Sequence, residues 1–157
     1  MRLTRPFLST YQNRIDAKGR VSVPAKFREI LEAQGARSIF ARASTNEPMI
    51  EAGGPDWMAR YYDMVEQHDP TSELYDDYAM SFLGDTIELT LDSEGRVVLP
   101  EMLSRHAGLD DAATFVGVGS HFRIWEPKAF DIRMMKARRS AAEHRGQLRP
   151  KNGSGAP

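Results

Sequence analysis

The chain has 157 residues, which is enough for one compact domain or two small ones, and its lack of cysteine excludes disulfides and thiolate metal sites. No uncharged apolar run approaches the roughly 18 residues of a membrane span, and the basic start lacks the apolar stretch of a secretory leader. These properties predict a cytoplasmic protein with no membrane partner.

The charge is divided into blocks, although the whole chain has a net charge of -1. Residues 1–42 carry +6, residues 43–95 carry -12 and residues 96–157 carry +5. Clustered Lys and Arg side chains are typical of a surface that binds a polyanion. The alternative is that the blocks neutralise each other within the molecule or between copies, and charge patterning alone gives the two readings equal weight.

A short motif occurs twice, as DAKGRVSVP at residues 16–24 and as DSEGRVVLP 76 positions later, at residues 92–100. A period this long predicts a duplicated small domain rather than a solenoid. We therefore divide the chain into a first repeat, a helical connection, a second repeat, and a C-terminal helix with a disordered tail, PKNGSGAP. The predicted bounds are 7–55, 56–84, 85–128 and 129–157.

Each copy is predicted to run strand, tight turn, strand, helix, strand, strand, helix. The β-prone segments Tyr11–Ile15 and Ile87–Leu91 lead into the turns, and alternating apolar residues predict the next strands. Each following helix begins after a proline and ends at a glycine. These pairs are Pro24 with Gly35 and Pro100 with Gly108.

The later part of each copy reads as a hairpin. FVGVGSHFRIW, residues 115–125, has a Gly-rich turn, and its partner in the first copy is IFARASTNEPMI. Between the copies, residues 70–83 show a mixed helical pattern that ends at Gly84, and residues 127–143 predict a long helix with basic residues towards its end.

The repeated D-x-x-G-R turn contains residue types with separate structural roles. Asp16 and Asp92 can accept hydrogen bonds from backbone N–H groups of the turn, as is common for Asp. Gly19 and Gly95 can adopt the positive φ that a type I turn with a bulge requires. Turn chemistry therefore explains these four residues without a functional role.

The arginine that follows each turn has two readings of about equal weight. Its guanidinium can form a fork with the Asp four residues before it, or with a phosphate or a guanine edge. An exposed ion pair of the first kind stabilises a fold by only about 0–1 kcal/mol. Around the first turn and its helix lie further cations, which an ordinary hairpin does not need: Arg14, Lys18, Lys26 and Arg28. The candidate DNA contacts are Arg14, Lys18, Arg20 and Arg96.

Three segments together closely resemble the MraZ family of bacterial transcriptional regulators, whose members have two SpoVT/AbrB-type DNA-binding domains in one chain. The segments are NRIDAKGRVSVPAKFREIL, LDSEGRVVLPEMLSRHAGL and FVGVGSHFRIWEPKAF. The resemblance implies an α+β fold, a tandem duplicated AbrB-like swapped-hairpin β-barrel with flanking helices, and assembly into a ring-forming homo-oligomer.

The same resemblance implies a function. Family members bind double-stranded DNA at short tandem repeats in the promoter of the division and cell-wall gene cluster, and they associate with the nucleoid. The D-x-x-x-R motif of the family corresponds here to Asp16 and Arg20, and to Asp92 and Arg96. Lys18 corresponds to the lysine of the K-G-R context and is implied to contact DNA. No cofactor and no small-molecule substrate are expected.

The chain departs from the family pattern at two places. The connecting helix contains the acidic ELYDDY at residues 73–78, where members often have basic residues, and PMIEAGGP at residues 48–55 replaces a strand that ends in Tyr-Pro. We therefore expect a shorter or irregular first hairpin.

The two copies also differ from each other, because Glu94 stands where the first copy has Lys18. Beside Asp92, Glu94 repels phosphate and can pair with Arg96. We therefore expect the second turn to contribute less to DNA binding.

Two other classes of protein compete with this reading. An enzyme needs a catalytic or metal site, yet no zincin, Walker or G-x-S-x-G pattern occurs around the four histidines. His106 and His121 are predicted to lie at ordinary surface positions, and we assign no catalytic and no metal residue. The remaining alternative is a structural ring-assembly protein whose basic and acidic segments pair between subunits.

Overall fold

The computed structural model describes residues 5–150, which form an α+β protein with antiparallel sheets. Its strands are β1 Thr10–Arg14, β2 Arg20–Ser22, β3 Ser38–Ala43, β4 Ile50–Gly53, β5 Ile87–Thr90, β6 Arg96–Val98, β7 Ala112–Gly117 and β8 Phe122–Trp125. Its α-helices are α1 Ala25–Ala33, α2 Pro55–Glu66, α3 Glu73–Tyr78, α4 Glu101–Ala107 and α5 Pro127–Glu143. A π-helical turn, Ala79–Gly84, continues α3, and a 3-10 turn, Arg145–Gln147, follows α5.

The strands of the two predicted repeats pair with each other as well as within one repeat. β1 lies against β7, β5 lies against β3, and β2 pairs with β6, all antiparallel. The large sheet has the order β1-β7-β8-β4-β3-β5, so that each half of the chain supplies three of its strands. In the described part of the chain these ladders form two sheets and do not close into a barrel.

The short β2–β6 ribbon aligns the two copies of the motif. Val21 lies directly opposite Val97, and both are buried because the alternation along each strand turns these side chains towards the core. Beyond the strands, the N–H of Leu99 donates to the carbonyl oxygen of Gly19, and Val23 donates to Gly95. The ribbon is therefore continued on both sides by hydrogen bonds to the glycine of the opposite turn.

The core lies between the large sheet and the helices that follow each turn. The ring of Phe27 in α1 packs edge-on against Phe7, with 5.3 Å between ring centroids, and lies 4.9 Å from the ring of Phe122 in β8. Leu103, at the matching position of α4, is also fully buried. Each such side chain stabilises the fold by about 1.5–3 kcal/mol through removal from water.

The observed helix limits confirm the predicted ones. Pro24 and Pro100 take the position just before α1 and α4. Gly35, with φ 74°, follows α1, and Gly108, with φ 65°, caps α4 in the left-handed conformation that glycine adopts readily. The mixed pattern before Gly84 corresponds to α3 and the π-helical turn.

The expectation of a shorter or irregular first hairpin was wrong. β3 and β4 pair from Phe40 opposite Gly53 to Ala43 opposite Ile50, which is as long as the pairing of β7 with β8. The difference lies in the loop: residues 44–49 connect β3 to β4, whereas residues 118–121 connect β7 to β8. The extra length is accommodated because Ser44 Oγ accepts hydrogen bonds from the N–H groups of Asn46 and Glu47.

The chain divides into two compact units, one that ends at Pro127 and one that begins at Lys128. The first unit contains strands and helices from both predicted repeats. Helix α5 confirms the long helix predicted for residues 127–143. The predicted disordered tail lies outside the described residues except for Pro150.

Candidate nucleic-acid interface

The first turn is organised around the carboxylate of Asp16. One oxygen, Oδ1, accepts hydrogen bonds from the N–H groups of Lys18 and Arg20, each at 2.9 Å, while Oδ2 accepts from Arg20 Nε at 2.7 Å. Gly19 has the positive φ, 79°, that the turn requires. The hydrogen bond from the Arg20 N–H, followed by that from its side chain, lowers the pKa of Asp16. The predicted structural roles are thus present in the first turn.

The second turn repeats this arrangement around Asp92. Its carboxylate accepts hydrogen bonds from the N–H groups of Glu94 and Arg96 and from Arg96 Nε, all at 2.9 Å, and Gly95 has φ 77°. In addition, Arg96 Nη2 lies 3.3 Å from Glu94 Oε2. The predicted Glu94–Arg96 pair is therefore confirmed, and hydrogen bonding to Asp92 raises the pKa of Arg96.

Three of the four predicted DNA contacts lie together. Arg14, Arg20 and Arg96 line one open depression of about 390 Å³, and Asp16 and Asp111 line it too. The remaining lining residues are Ile15 and Ser22. The fourth predicted contact, Lys18, is exposed at the tip of the first turn and lies outside this lining.

The cations of the first turn have free hydrogen-bond donors. Arg14 and Lys18 are exposed, and within residues 5–150 neither side chain has an ion pair or a hydrogen bond. Arg20 uses only Nε for Asp16, so its terminal nitrogens remain available. Arginine in this state can present two parallel donors to a phosphate.

Arg28 lies on α1, the helix after the first turn, and its side chain packs over the second turn: a Cβ added at Gly95 would approach Arg28 Cδ to 2.6 Å. Arg28 Nε donates to the carbonyl oxygen of Val23 at 3.1 Å. Together with Arg37, Arg28 lines a second open depression, of about 650 Å³, at the Asp92 turn.

Sequence reasoning also missed Arg37 as a neighbour of the second turn. The carbonyl oxygen of Arg37 accepts a hydrogen bond from Leu91, as that of Asp111 does from Ile15 beside the first turn. The two copies have a similar spacing here. Arg37 follows Gly35 by two residues, and Asp110, the residue before Asp111, follows Gly108 by two residues. Only the strand pairing shows that each of these residues lies beside a turn.

Sequence comparisons find relatives that match most of the chain. A curated relative from Azorhizobium caulinodans, named transcriptional regulator MraZ, is 43% identical over 150 residues, which cover 96% of this chain and 93% of the relative. The chain belongs to the MraZ family. MraZ relatives from Xanthobacter autotrophicus and Rickettsia akari bear the same name: the first is 40% identical, covering 88% of each chain, and the second is 39% identical, covering 93% of this chain and 98% of the relative. The family model described as "MraZ protein, putative antitoxin-like" matches residues 82–149.

A second charged cluster in this chain was not predicted. Arg42, only 1% exposed, lies opposite Glu51 on the neighbouring strand, and Glu51 lies opposite Arg123 on the next. Arg42 Nη2 is 3.2 Å from Glu51 Oε2, while Arg123 Nε and His121 Nε2 are each 3.5 Å from Glu51 Oε1. These contacts form a row of alternating charge across the centre of the large sheet.

The surface position expected for His121 was wrong. This residue is 8% exposed, and its ring stacks on Trp57 of α2, with ring centroids 5.0 Å apart. The tight loop before β8 turns the ring inward because Glu51 and Trp57 together supply a polar and an aromatic partner for it. No sequence motif marks such a contact, since the partners come from β4 and α2.

Two other kinds of site are absent from the described part of the chain. Among residues 5–150, no group of three or more His, Asp or Glu side chains is arranged to hold a metal ion. In the same range no helix is long and apolar enough to cross a membrane. The relatives are named as transcriptional regulators, and those names indicate no enzyme activity.

Proposed function

We propose that this chain is a sequence-specific DNA-binding transcriptional regulator of the promoter of the division and cell-wall gene cluster. It binds tandem repeats in that promoter as a homo-oligomer, in the cytoplasm at the nucleoid. One observation carries the proposal: the two D-x-x-G-R turns lie side by side, so that Arg14, Arg20 and Arg96 line one open depression. Membership of a family whose relatives are named transcriptional regulators supports it.

The residues have different roles in this proposal. Lys18 and Arg20, with Arg14 beside them, meet the DNA backbone, and Arg20 can add readout of a guanine edge. Arg96 contributes less because Asp92 and Glu94 both hold it. Asp16, Gly19, Asp92 and Gly95 serve the turns, which hold the arginines in fixed orientations.

The proposed architecture is that of the AbrB-type swapped-hairpin barrel, whose strands form two sheets with open ladders within residues 5–150. Its repeats are residues 7–55 and 85–128, joined by the connection 56–84 and followed by residues 129–157. The exchange of strands between the two halves of the chain supports it, since β1 pairs with β7 and β5 pairs with β3.

We propose a ring of identical chains because the patch of a single chain has a low affinity for DNA. A patch of about three cations binds DNA weakly and loses affinity steeply as the salt concentration rises. A ring of identical chains presents several patches at once, and tandem repeats then bind at a high effective concentration. Multivalency therefore offsets the modest charge of each depression, in which three arginines face Asp16 and Asp111.

The test is a footprint on the DNA upstream of the chain's own gene, with wild type compared with the double variant Lys18→Ala/Arg20→Ala. We expect wild type to protect spaced repeats and the double variant to lose that protection. Arg60→Ala is the matched control, because Arg60 is an exposed arginine on α2 and its loss changes the net charge without touching either turn. Equal protection by wild type and the double variant would show that Lys18 and Arg20 are not the DNA-binding residues.

The same samples separate DNA binding from a purely structural ring. If basic and acidic segments hold subunits together and do nothing else, moderate salt dissociates the oligomer and no repeat is protected at any salt concentration. Sedimentation of the wild type at several salt concentrations, run beside the footprint, gives this comparison. Repeat protection by an intact oligomer would exclude the structural alternative.

A further inference from the structure

The charges beside the two turns are exchanged between pseudo-equivalent positions. At the tip, the first turn has Lys18 and the second has Glu94. At the flank, the backbone carbonyl that accepts a hydrogen bond from the preceding strand belongs to Asp111 beside the first turn, at 2.8 Å, and to Arg37 beside the second, at 2.9 Å. Each turn thus has one acidic and one basic neighbour, in opposite places.

Arg28 adds a second cation to the flank of the second turn. Its side chain lies across Gly95 so closely that a Cβ there would be within 2.7 Å of Arg28 Nε and Cζ. The hydrogen bond from Nε to the Val23 carbonyl oxygen holds the guanidinium in this position. Its terminal nitrogens have no partner among residues 5–150.

Two acidic side chains, Glu32 and Asp92, line the same depression, and within residues 5–150 neither forms an ion pair with Arg28 or Arg37. Asp92 already accepts hydrogen bonds from the N–H groups of Glu94 and Arg96 and from Arg96 Nε. In the described part of the chain, Arg37 is exposed and has no ion pair. Arg28 and Arg37 therefore line the same open depression with free donors.

We propose that Arg28 and Arg37 form a phosphate-binding pair beside the second turn and hold the DNA backbone there. The inference rests on the proposed DNA binding and assigns contacts to residues outside the repeated motif. A phosphodiester has two non-bridging acceptor oxygens, which suit the forked donors of the guanidinium groups that line this depression. Because phosphate is the same in every sequence, these contacts position the protein and carry no sequence preference.

The two halves of the molecule then hold DNA differently. The first turn meets phosphate at its tip, through Lys18, whereas the second meets it at its flank, and its tip, with Glu94, is held away from the backbone. The pseudo-symmetry of the fold is thus broken in the contacts with DNA. An estimate from the charge of the D-x-x-G-R motif alone therefore underestimates the contribution of the second half to DNA binding.

The test uses full-length protein and fluorescence anisotropy with two duplexes of equal length, one that carries the repeats upstream of the chain's own gene and one with the same bases scrambled. We expect Arg37→Gln to raise Kd about tenfold on both duplexes and to reduce the slope of log K against log salt by about 0.9 for each phosphate that is no longer neutralised. Arg37→Lys should keep most of the slope, because the charge remains. Arg28→Lys should also keep the slope while it raises Kd, because lysine keeps the charge but cannot form the fork.

Arg60→Gln is the control, with a Kd expected within about twofold of wild type because the residue lies on the acidic helix α2. If Lys18→Ala/Arg20→Ala abolishes binding while Arg37→Gln behaves like Arg60→Gln, this inference is overturned and the proposed function stands. If wild type binds neither duplex, the proposed function itself fails. Weaker binding by Arg37→Gln on the repeat duplex alone would also overturn the inference, since a phosphate contact acts on both duplexes.

Discussion

At the scale of single residues, the same five-letter motif produces two arginines with different freedom. Arg20 and Arg96 each donate Nε to the Asp four residues earlier, at 2.7 Å and 2.9 Å. The two differ beyond that interaction, because Arg96 also has the carboxylate of Glu94 within reach of a terminal nitrogen. An arginine held by two carboxylates has fewer donors to offer to a phosphate.

The first prediction at this scale compares Arg20→Ala with Arg96→Ala. We expect Arg20→Ala to weaken DNA binding by about tenfold or more, since a good arginine contact to DNA is worth about 1–3 kcal/mol. Arg96→Ala should cost less than about threefold, because it removes a group already paired within the turn. Anisotropy at several salt concentrations gives both values, and sedimentation shows whether the oligomer is intact. Equal effects with an intact oligomer would mean that Arg96 meets DNA as directly as Arg20.

At the scale of elements, a row of charges connects the central strands to the helices above them. Arg42 of β3 extends its guanidinium between three rings of α2 and the π-helical turn, at 4.6 Å from Trp57, 4.1 Å from Tyr61 and 4.9 Å from Phe82. Its Nη1 also donates to the Phe82 carbonyl oxygen at 3.2 Å. The buried guanidinium of Arg42 therefore links the acidic connecting segment to the sheet through cation–π interactions with these three rings.

The charge row predicts a pH dependence of stability. The contact with His121, whose Nε2 lies 3.5 Å from Glu51 Oε1, followed by the charges of Arg42 and Arg123, lowers the pKa of Glu51 from 4.5 to about 2. The ionised carboxylate therefore stabilises the fold above pH 4.5, and this contribution disappears as the pH falls towards 2. It is on the order of 3 kcal/mol, from about 1.4 kcal/mol for each pKa unit.

Urea unfolding of wild type and Glu51→Gln between about pH 7 and pH 3 measures this contribution. We expect the difference in free energy of unfolding between the two proteins to be largest at neutral pH and to shrink below pH 4.5. Glu29→Gln is a control, because Glu29 is an exposed carboxylate on α1. A difference that stays constant across the range would show that the sheet does not stabilise the ionised form of Glu51.

At the scale of the whole molecule, the exchange of strands makes each half depend on the other. β1 has its ladder with β7, and β2 has its ladder with β6, so the two strands that flank the first turn have their partners in the second half. The distribution of charge has a similar consequence: Arg42 of the first basic block and Arg123 of the second both neutralise Glu51 of the acidic block. Part of the segregated charge is thus neutralised inside the molecule, and the cations of the turns remain at the surface.

This interdependence predicts the behaviour of separated halves. Fragments 1–84 and 85–157, produced apart, should each lack cooperative unfolding when monomeric, because each would expose an apolar strand edge and half a core. Mixed in equal amounts, they should regain the circular dichroism and the cooperative transition of the full chain. A fragment that dimerises with itself is compatible with this view, since the second copy supplies the missing strands. A monomeric fragment that unfolds cooperatively would contradict it.

Local chemistry was readable from the amino-acid sequence alone. Asp16 and Gly19 predict the turn because an Asp carboxylate and a positive φ are local requirements, and the proline before each helix and the glycine after it act within a few residues. The duplication and the family resemblance were readable for the same reason. What lies beside each turn was not: Arg28 and Arg37 reach the second turn only through strands exchanged between the halves.

The row Arg42–Glu51–Arg123 and the inward ring of His121 were decided in the same way, by the tertiary structure. Their partners lie on β3, β4, β8 and α2, which are distant in sequence, and the register of the sheet alone brings the charged groups within 3.2–3.5 Å of each other. Short-range patterns determine which turns, strands and helices form. The neighbours of each charge depend on how those elements pair, and in this protein they pair across the two halves of the chain.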